Sequence, residues 1–97
     1  MIRHIVFFTA RNPADVPTIR AGLETLGDIP HSTHFEVGQN LHADALTGTE
    51  VDLVVYAEFL DEAALAAYKA HPIYEDAIRR VRPLRELRIA ADVTAGP

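Results

Sequence analysis

The chain contains no cysteine, and that absence removes several classes of protein at once. Without thiols there is no disulfide framework, no thiolate nucleophile and no cysteine-ligated zinc site, so a disulfide-stapled secreted module is excluded. The apolar run at the N-terminus, within Met1 to Phe8, is too short for a signal sequence or a membrane span, and Arg11 soon follows. A cytoplasmic protein without membrane contact is therefore expected. Five glycines and six prolines are too few for collagen-like or low-complexity chains, and none of the glycines forms a phosphate-cradling loop. Ser32 stands alone, without the glycines of a nucleophile elbow. A net charge of −5 argues against nucleic acid as a partner.

What is present describes a globular domain. Apolar residues make up 48% of the 97 positions and charged residues 24%, enough of each for a core and a solvated surface. A single domain over 1–97, with no internal repeat or linker, is expected. A chain this short buries only about 60–65% of its unfolded surface, so pairing with a second copy would help it.

Hydrophobic periodicity sets the elements. Ile2 to Thr9 reads as a strand, with Ile5 and Phe7 on one face and Ile2, Val6 and Phe8 on the other, His4 among them. Both faces therefore need cover. A helix from about Asp15 tolerates Pro17 in its first turn and carries Val16, Ile19, Leu23 and Leu26 on one stripe. Gly22 weakens its middle and Gly27 is expected to stop it. His31 to Leu41 reads as a second strand with Phe35, Val37 and Leu41 on one face, 43–50 as a loop, and Asp52 to Phe59 as a central strand. Asp61 is the expected N-cap of a second helix reaching about Ala70, with Leu60 stapled on Leu65. A third helix runs from Pro72 to about Arg82, where Pro83 prevents continuation. In the last strand, Leu84 to Val93, Leu87, Ile89, Ala91 and Val93 oppose Glu86, Arg88, Ala90 and Asp92. The order βαββαβ predicts an α+β, ferredoxin-like fold, a four-stranded antiparallel sheet with its helices on one face. The bare face predicts a homodimer in which a second copy packs on Ile5 and Phe7.

The residues with the most chemistry lie in Tyr68-Lys69-Ala70-His71-Pro72-Ile73-Tyr74, a helix end followed by a proline-started turn. Tyr68 and His71, three apart, share a helix face and suggest a pocket corner. His71 also suits a cap at the helix end. His31 and His34 would point to opposite faces of a strand, and His42 has no carboxylates at ligand spacing, so no metal site is expected. Arg79, Arg80, Arg82, Arg85 and Arg88 form a local basic run expected to make surface ion pairs with Glu75, Asp76 and Glu86. Arg88 is the exception, placed to offer a cation at a cavity rim that a carboxylate-bearing ligand would suit.

The set His4-Ile5-Val6-Phe7-Phe8, Val37-Gly38-Gln39-Asn40, Phe59 with the helix after it, and Tyr68-Lys69-Ala70-His71-Pro72 resembles the stress-responsive A/B barrel (Dabb) family across essentially the whole chain. The resemblance implies a homodimeric α+β barrel, often with a hydrophobic pocket between sheet and helices, and relatives that range from plant stress proteins to a polyketide cyclase. Tyr68 falls on the cyclase's tyrosine and His4 on a pocket histidine, but Tyr74 stands where the cyclase has its catalytic histidine. A phenol with a pKa of about 10 is a poorer base near neutral pH than an imidazole near 6.5, so cyclase activity is not carried over. Some relatives bind magnesium; nothing in this sequence marks such a site, and no cofactor is expected.

Three readings of function follow. In the first, the chain binds a small, largely apolar molecule through Tyr68, Tyr74, His4 and Arg88, with Val6, Phe8, Val55 and Ala57 as walls. In the second, it cyclises or isomerises a ketone, with His4 as base and Tyr68 as hydrogen-bond donor to an enolate oxygen. In the third, it is a purely structural stress protein whose own side chains fill the pocket. A haem-degrading barrel enzyme is more distant, since no histidine lies at a convincing proximal position.

Overall fold

The computed structural model describes residues 1–44, 46 and 48–96. Its elements run β1 (Ile2–Ala10), α1 (Val16–Glu24), β2 (His34–Gln39), β3 (Leu53–Phe59), α2 (Glu62–Ala70), α3 (Pro72–Val81) and β4 (Arg85–Thr94). Turns of 3-10 helix at Pro13–Asp15 and Thr25–Asp28 flank α1. The sheet is antiparallel throughout, in the order β2-β3-β1-β4, which is the ferredoxin-like arrangement. No described helix is long and apolar enough to cross a membrane.

Register decides which side chains meet the helices. His4, Val6 and Phe8 of β1 lie opposite Ala57, Val55 and Leu53 of β3, and opposite Asp92, Ala90 and Arg88 of β4. Residues directly opposite share a face, so all nine project to one side of the sheet. There the apolar members of β1 and β3 pack on Ile19, Leu23, Leu26, Leu65, Tyr68, Ala77 and Val81 in a continuous core. The other face carries Ile5, Phe7, Val54, Leu87, Ile89 and Val93, with Ile89 51% and Val93 46% exposed. An isolated subunit thus leaves an apolar sheet face uncovered.

Local chemistry explains most of the element ends. Asp61 Oδ1 accepts from the Ala64 backbone N–H at 2.8 Å and starts α2 as expected. Pro72 occupies the first turn of α3, and His71 before it is extended at φ −73°, ψ 143°, which breaks the path between the two helices. Asn12 Oδ1 accepts from Ala14 N–H at 3.0 Å, so the chain enters α1 through a capped 3-10 turn and Asp15 makes no side-chain cap.

Several expectations are corrected. The second strand covers His34–Gln39, not His31 to Leu41, because Asn40 turns its side chain on the backbone: Oδ1 accepts from His42 N–H at 3.0 Å and Nδ2 donates to Val51 O at 2.6 Å. Leu41 is consequently 89% exposed and shares no face with Phe35. Of the loop expected over 43–50, positions 45 and 47 lie outside the described residues. Leu60 is 71% exposed and forms no staple on buried Leu65, since Phe59 before it turns inward and strand alternation sends Leu60 out. Gly27 does not stop α1 by a left-handed turn; the helix tightens into 3-10 geometry at Thr25 instead. A Cβ at Gly27 would lie 3.0 Å from the Phe35 ring, so packing is what favours glycine there.

Gly22 likewise serves packing. A Cβ at this position would lie 3.0 Å from Val81 Cγ2, at the crossing of α1 and α3. Helix propensity favours Gly22→Ala by up to about 1 kcal/mol, but crowding a packed contact costs about 1–3 kcal/mol. Gly22→Ala is therefore expected to lower the free energy of unfolding in a urea titration, and to do so less in a Val81→Ala background. Equal effects in both backgrounds would mean that Val81 is not the obstacle.

Candidate functional site

A cavity of about 190 Å³ lies between the sheet and the helices. Of the residues expected to form a site, His4, Val6, Phe8, Val55, Tyr68, Tyr74 and Arg88 line it. Ala57 does not: it is fully buried in the core, 0% exposed. His71 is also absent from the lining. Its Nδ1 accepts from the Ile73 backbone N–H at 3.1 Å, making it the N-cap of α3 rather than part of a pocket corner with Tyr68.

Three lining rings, His4, Tyr68 and Tyr74, come together in the site, with Phe59 of the core packed against Tyr68. Tyr68 packs 4.9 Å from Phe59, 5.3 Å from Tyr74 and 5.9 Å from His4, measured between ring centroids. Its side chain is 0% exposed, yet its hydroxyl has no hydrogen-bond partner among the described residues. A buried unpaired hydroxyl costs about 1–3 kcal/mol, so this one is unusual. Burial, with Tyr74 adding to it, raises the phenol well above its usual pKa and keeps it a neutral donor.

His4 is better satisfied. Its Nδ1 lies 2.5 Å from Asp92 Oδ1, and Lys69 Nζ is 3.5 Å from the other carboxylate oxygen. The carboxylate holds the imidazole in the tautomer that is protonated at Nδ1, which leaves Nε2 as the ring's free acceptor. Burial pulls His4 below its ordinary pKa even though the Asp92 hydrogen bond acts the other way. The site thus places a neutral, carboxylate-oriented imidazole beside a neutral phenol.

The outer end is cationic. Arg82, Arg85 and Arg88 all line the cavity, and the Arg88 guanidinium donates to Tyr74 Oη at 3.4 Å. The expectation that most of the arginine run forms surface ion pairs is corrected: Arg79 pairs with Glu75 and Asp76, but Arg82, Arg85 and Arg88 meet no carboxylate among the described residues. Arg82 sits at the C-cap of α3 and Arg88 follows regular alternation, while for Arg85 a register irregularity is the reason. Thr9 pairs with Leu87 and Ala10 with Arg85, leaving Glu86 unmatched, so simple alternation fails at this end of β4. That bulge brings Arg85 to the same cavity as Arg88, and periodicity alone could not show it. Asp92 was legible only as a residue on the Arg88 face; its contact with His4 needed the β1–β4 register.

The family model for the stress responsive A/B barrel domain matches residues 2–95. The chain belongs to this family. No curated protein matches the chain. Among solved structures, a dimeric ferredoxin-like protein of unknown function from Thermobifida fusca is 26% identical, covering 97% of this chain and 90% of its own, with a TM-score of 0.82. A Dabb family protein with a ferredoxin-like fold from Mesorhizobium loti is 25% identical, with coverages of 99% and 97% and a TM-score of 0.81. An antibiotic biosynthesis monooxygenase shares the fold at 15% identity, full coverage of both chains and a TM-score of 0.76.

The lowered pKa of His4 has a stability consequence. The folded state binds the imidazole proton less readily than the unfolded chain does, so the His4 contribution is fully present above about pH 6.5 and is lost as pH falls through the lower folded value. Acidification below pH 6.5 is expected to reduce the melting temperature of the wild type more steeply than that of His4→Gln. Parallel slopes for the two proteins would show that His4 does not titrate differently on folding.

Proposed function

We propose that this Dabb domain is a homodimer that holds a small, largely apolar molecule between its sheet and its helices. The observation that carries the reading is the fully buried Tyr68 hydroxyl, left without a partner beside an open volume. A domain that filled the space with its own side chains would have no use for such a group, which disfavours the purely structural reading. Apolar walls from Val6, Phe8, Val55 and Val81 supply affinity, while Tyr68 offers a hydrogen bond to an oxygen of the ligand. The tyrosine in the position of the cyclase's histidine still argues against polyketide cyclisation.

Acetophenone is a suitable neutral probe, since its ring suits the walls and its carbonyl accepts from Tyr68. It is expected to shift the NMR resonances of Val55 and Val81, and Tyr68→Phe should weaken it by up to about tenfold, the worth of one hydrogen bond. No shift at cavity residues with acetophenone or with an acidic analogue of it would overturn the reading.

Dimerisation is supported by the apolar face bearing Ile5, Phe7, Ile89 and Val93 and by the dimeric state of the Thermobifida fusca relative. An isologous interface above about 1,200 Å² in total is expected. Phe7→Asp places a charge on that face and should convert a dimer into monomer or aggregate in light scattering. A wild type of monomer mass at micromolar concentration would sink the proposal.

A second reading is favoured by one contact, that between His4 and Asp92. An imidazole oriented by a carboxylate and kept neutral is equipped to remove a proton next to a carbonyl, with Tyr68 donating to the enolate oxygen that results. If the site does this chemistry, it should speed exchange of the acetophenone methyl protons in deuterium oxide, and His4→Gln should abolish the acceleration. Exchange at the buffer rate would leave the domain a binder only.

A further inference from the structure

We infer that the molecule bound in this cavity carries an acidic head group, a carboxylate or a phosphate, held at the mouth by Arg82, Arg85 and Arg88. The inference deepens the binding reading above and rests on it.

Charge distribution is the first argument. The chain has nine lysines and arginines against 14 aspartates and glutamates, yet three of those nine gather at one cavity with no carboxylate among them. An acidic protein has carboxylates to spare for surface pairing, as Arg79 and Arg20 show. Leaving three guanidinium groups together uncompensated costs repulsion, which is useful where an anion completes the set. The strain registers on Arg85, whose pKa is drawn down by burial first and then by Arg88, Arg82 and Arg11.

Backbone geometry is the second argument. Arg88 reaches the cavity by regular alternation opposite Phe8, whereas Arg85 reaches it through the register shift at Thr9 and Ala10. The shift is fastened by Thr9 Oγ1, which accepts from the Leu87 backbone N–H at 3.0 Å. A bulge that re-aims a side chain into a cavity is a constructed feature of the sheet.

The third argument is the opposite end of the site. Tyr68 presents an unpaired donor at the buried end, so the ligand has an oxygen acceptor within and an anion outside, joined by an apolar body. Volume limits that body. A cavity of about 150 Å³ holds benzene, and this one, at about 190 Å³, takes a single ring or a short chain, with the head group at the rim. The net charge of −5 makes a polyanion a poor match, which points to a small acid.

Two anions test the assignment against neutral acetophenone: 3-benzoylpropanoate, an aryl ketone with a carboxylate, and phenethyl phosphate. Calorimetric titration of the wild type should give at least one anion a Kd about tenfold or more below that of acetophenone, with a gap that narrows as ionic strength rises. The tighter of the two names the head group. In the Arg82→Gln/Arg85→Gln double variant the gap should close, the loss falling on the anion and not on acetophenone; a melting temperature near the wild-type value would confirm that the variant folds. If neither anion binds more tightly than acetophenone, or the gap survives in the double variant, the arginine assignment fails while the cavity reading stands. If acetophenone and both anions leave the resonances of Val55 and Val81 unmoved, the cavity reading fails and this inference with it.

Discussion

Everything in the site hangs on the register of β1 between β3 and β4. This strand has no face designed for water, so its pairing decides which of two apolar sets goes under the helices. With His4 opposite Ala57 and Asp92, the His4, Val6 and Phe8 set meets α1, α2 and α3, and Ile5 and Phe7 are left on the open side. A slip of one residue would bury Arg3 and separate His4 from Asp92. The same pairing therefore fixes the core, the imidazole–carboxylate contact and the apolar face a second subunit would cover.

Within that frame the two buried polar side chains are treated differently. His4 is compensated by Asp92, whose carboxylate is in turn near Lys69 and partly solvated, so its burial need not destabilise the fold strongly. Tyr68 receives no such help. Its ring is fixed by Phe59, Tyr74 and His4, and its hydroxyl is the one tyrosine oxygen fully buried without a partner among the described residues. A site assembled for stability alone would put phenylalanine there; a hydroxyl retained at a cost is better explained by a bond made only when the cavity is occupied.

Features that rest on local chemistry were readable in the amino-acid sequence. Asp61 and Pro72 start their helices where capping and proline geometry place them, and alternation in Ile2 to Phe8 and Asp52 to Phe59 assigned the strand faces. Features that rest on tertiary approach were not. Gly22 and Gly27 look like helix weakeners in one dimension but prove to be sites where Val81 and the Phe35 ring come close. Arg82 and Arg85 look like part of a solvated run, but the C-terminal end of α3 places Arg82 at the cavity and the irregular pairing near Ala10 brings Arg85 to it. In each case periodicity supplied the element, and contacts distant in sequence supplied the role.

That distinction bears on how far family likeness reaches. A monooxygenase 15% identical to this chain has the same fold, which is what the shared pattern of apolar faces requires and no more. Chemistry depends on a few side chains hung on that pattern: a tyrosine or a histidine at position 74, a carboxylate opposite His4, arginines at the end of α3 and the start of β4. Each can change without disturbing the alternation that builds the sheet, because Tyr74 is half-buried and the three arginines lie toward the outer end of the cavity. The barrel family can thus keep one core and vary the charge and proton-transfer capacity of its cavity. In this chain the cavity has a neutral inner end and a cationic mouth, a polarity that matches the proposed ligand with an acidic head group and a neutral body.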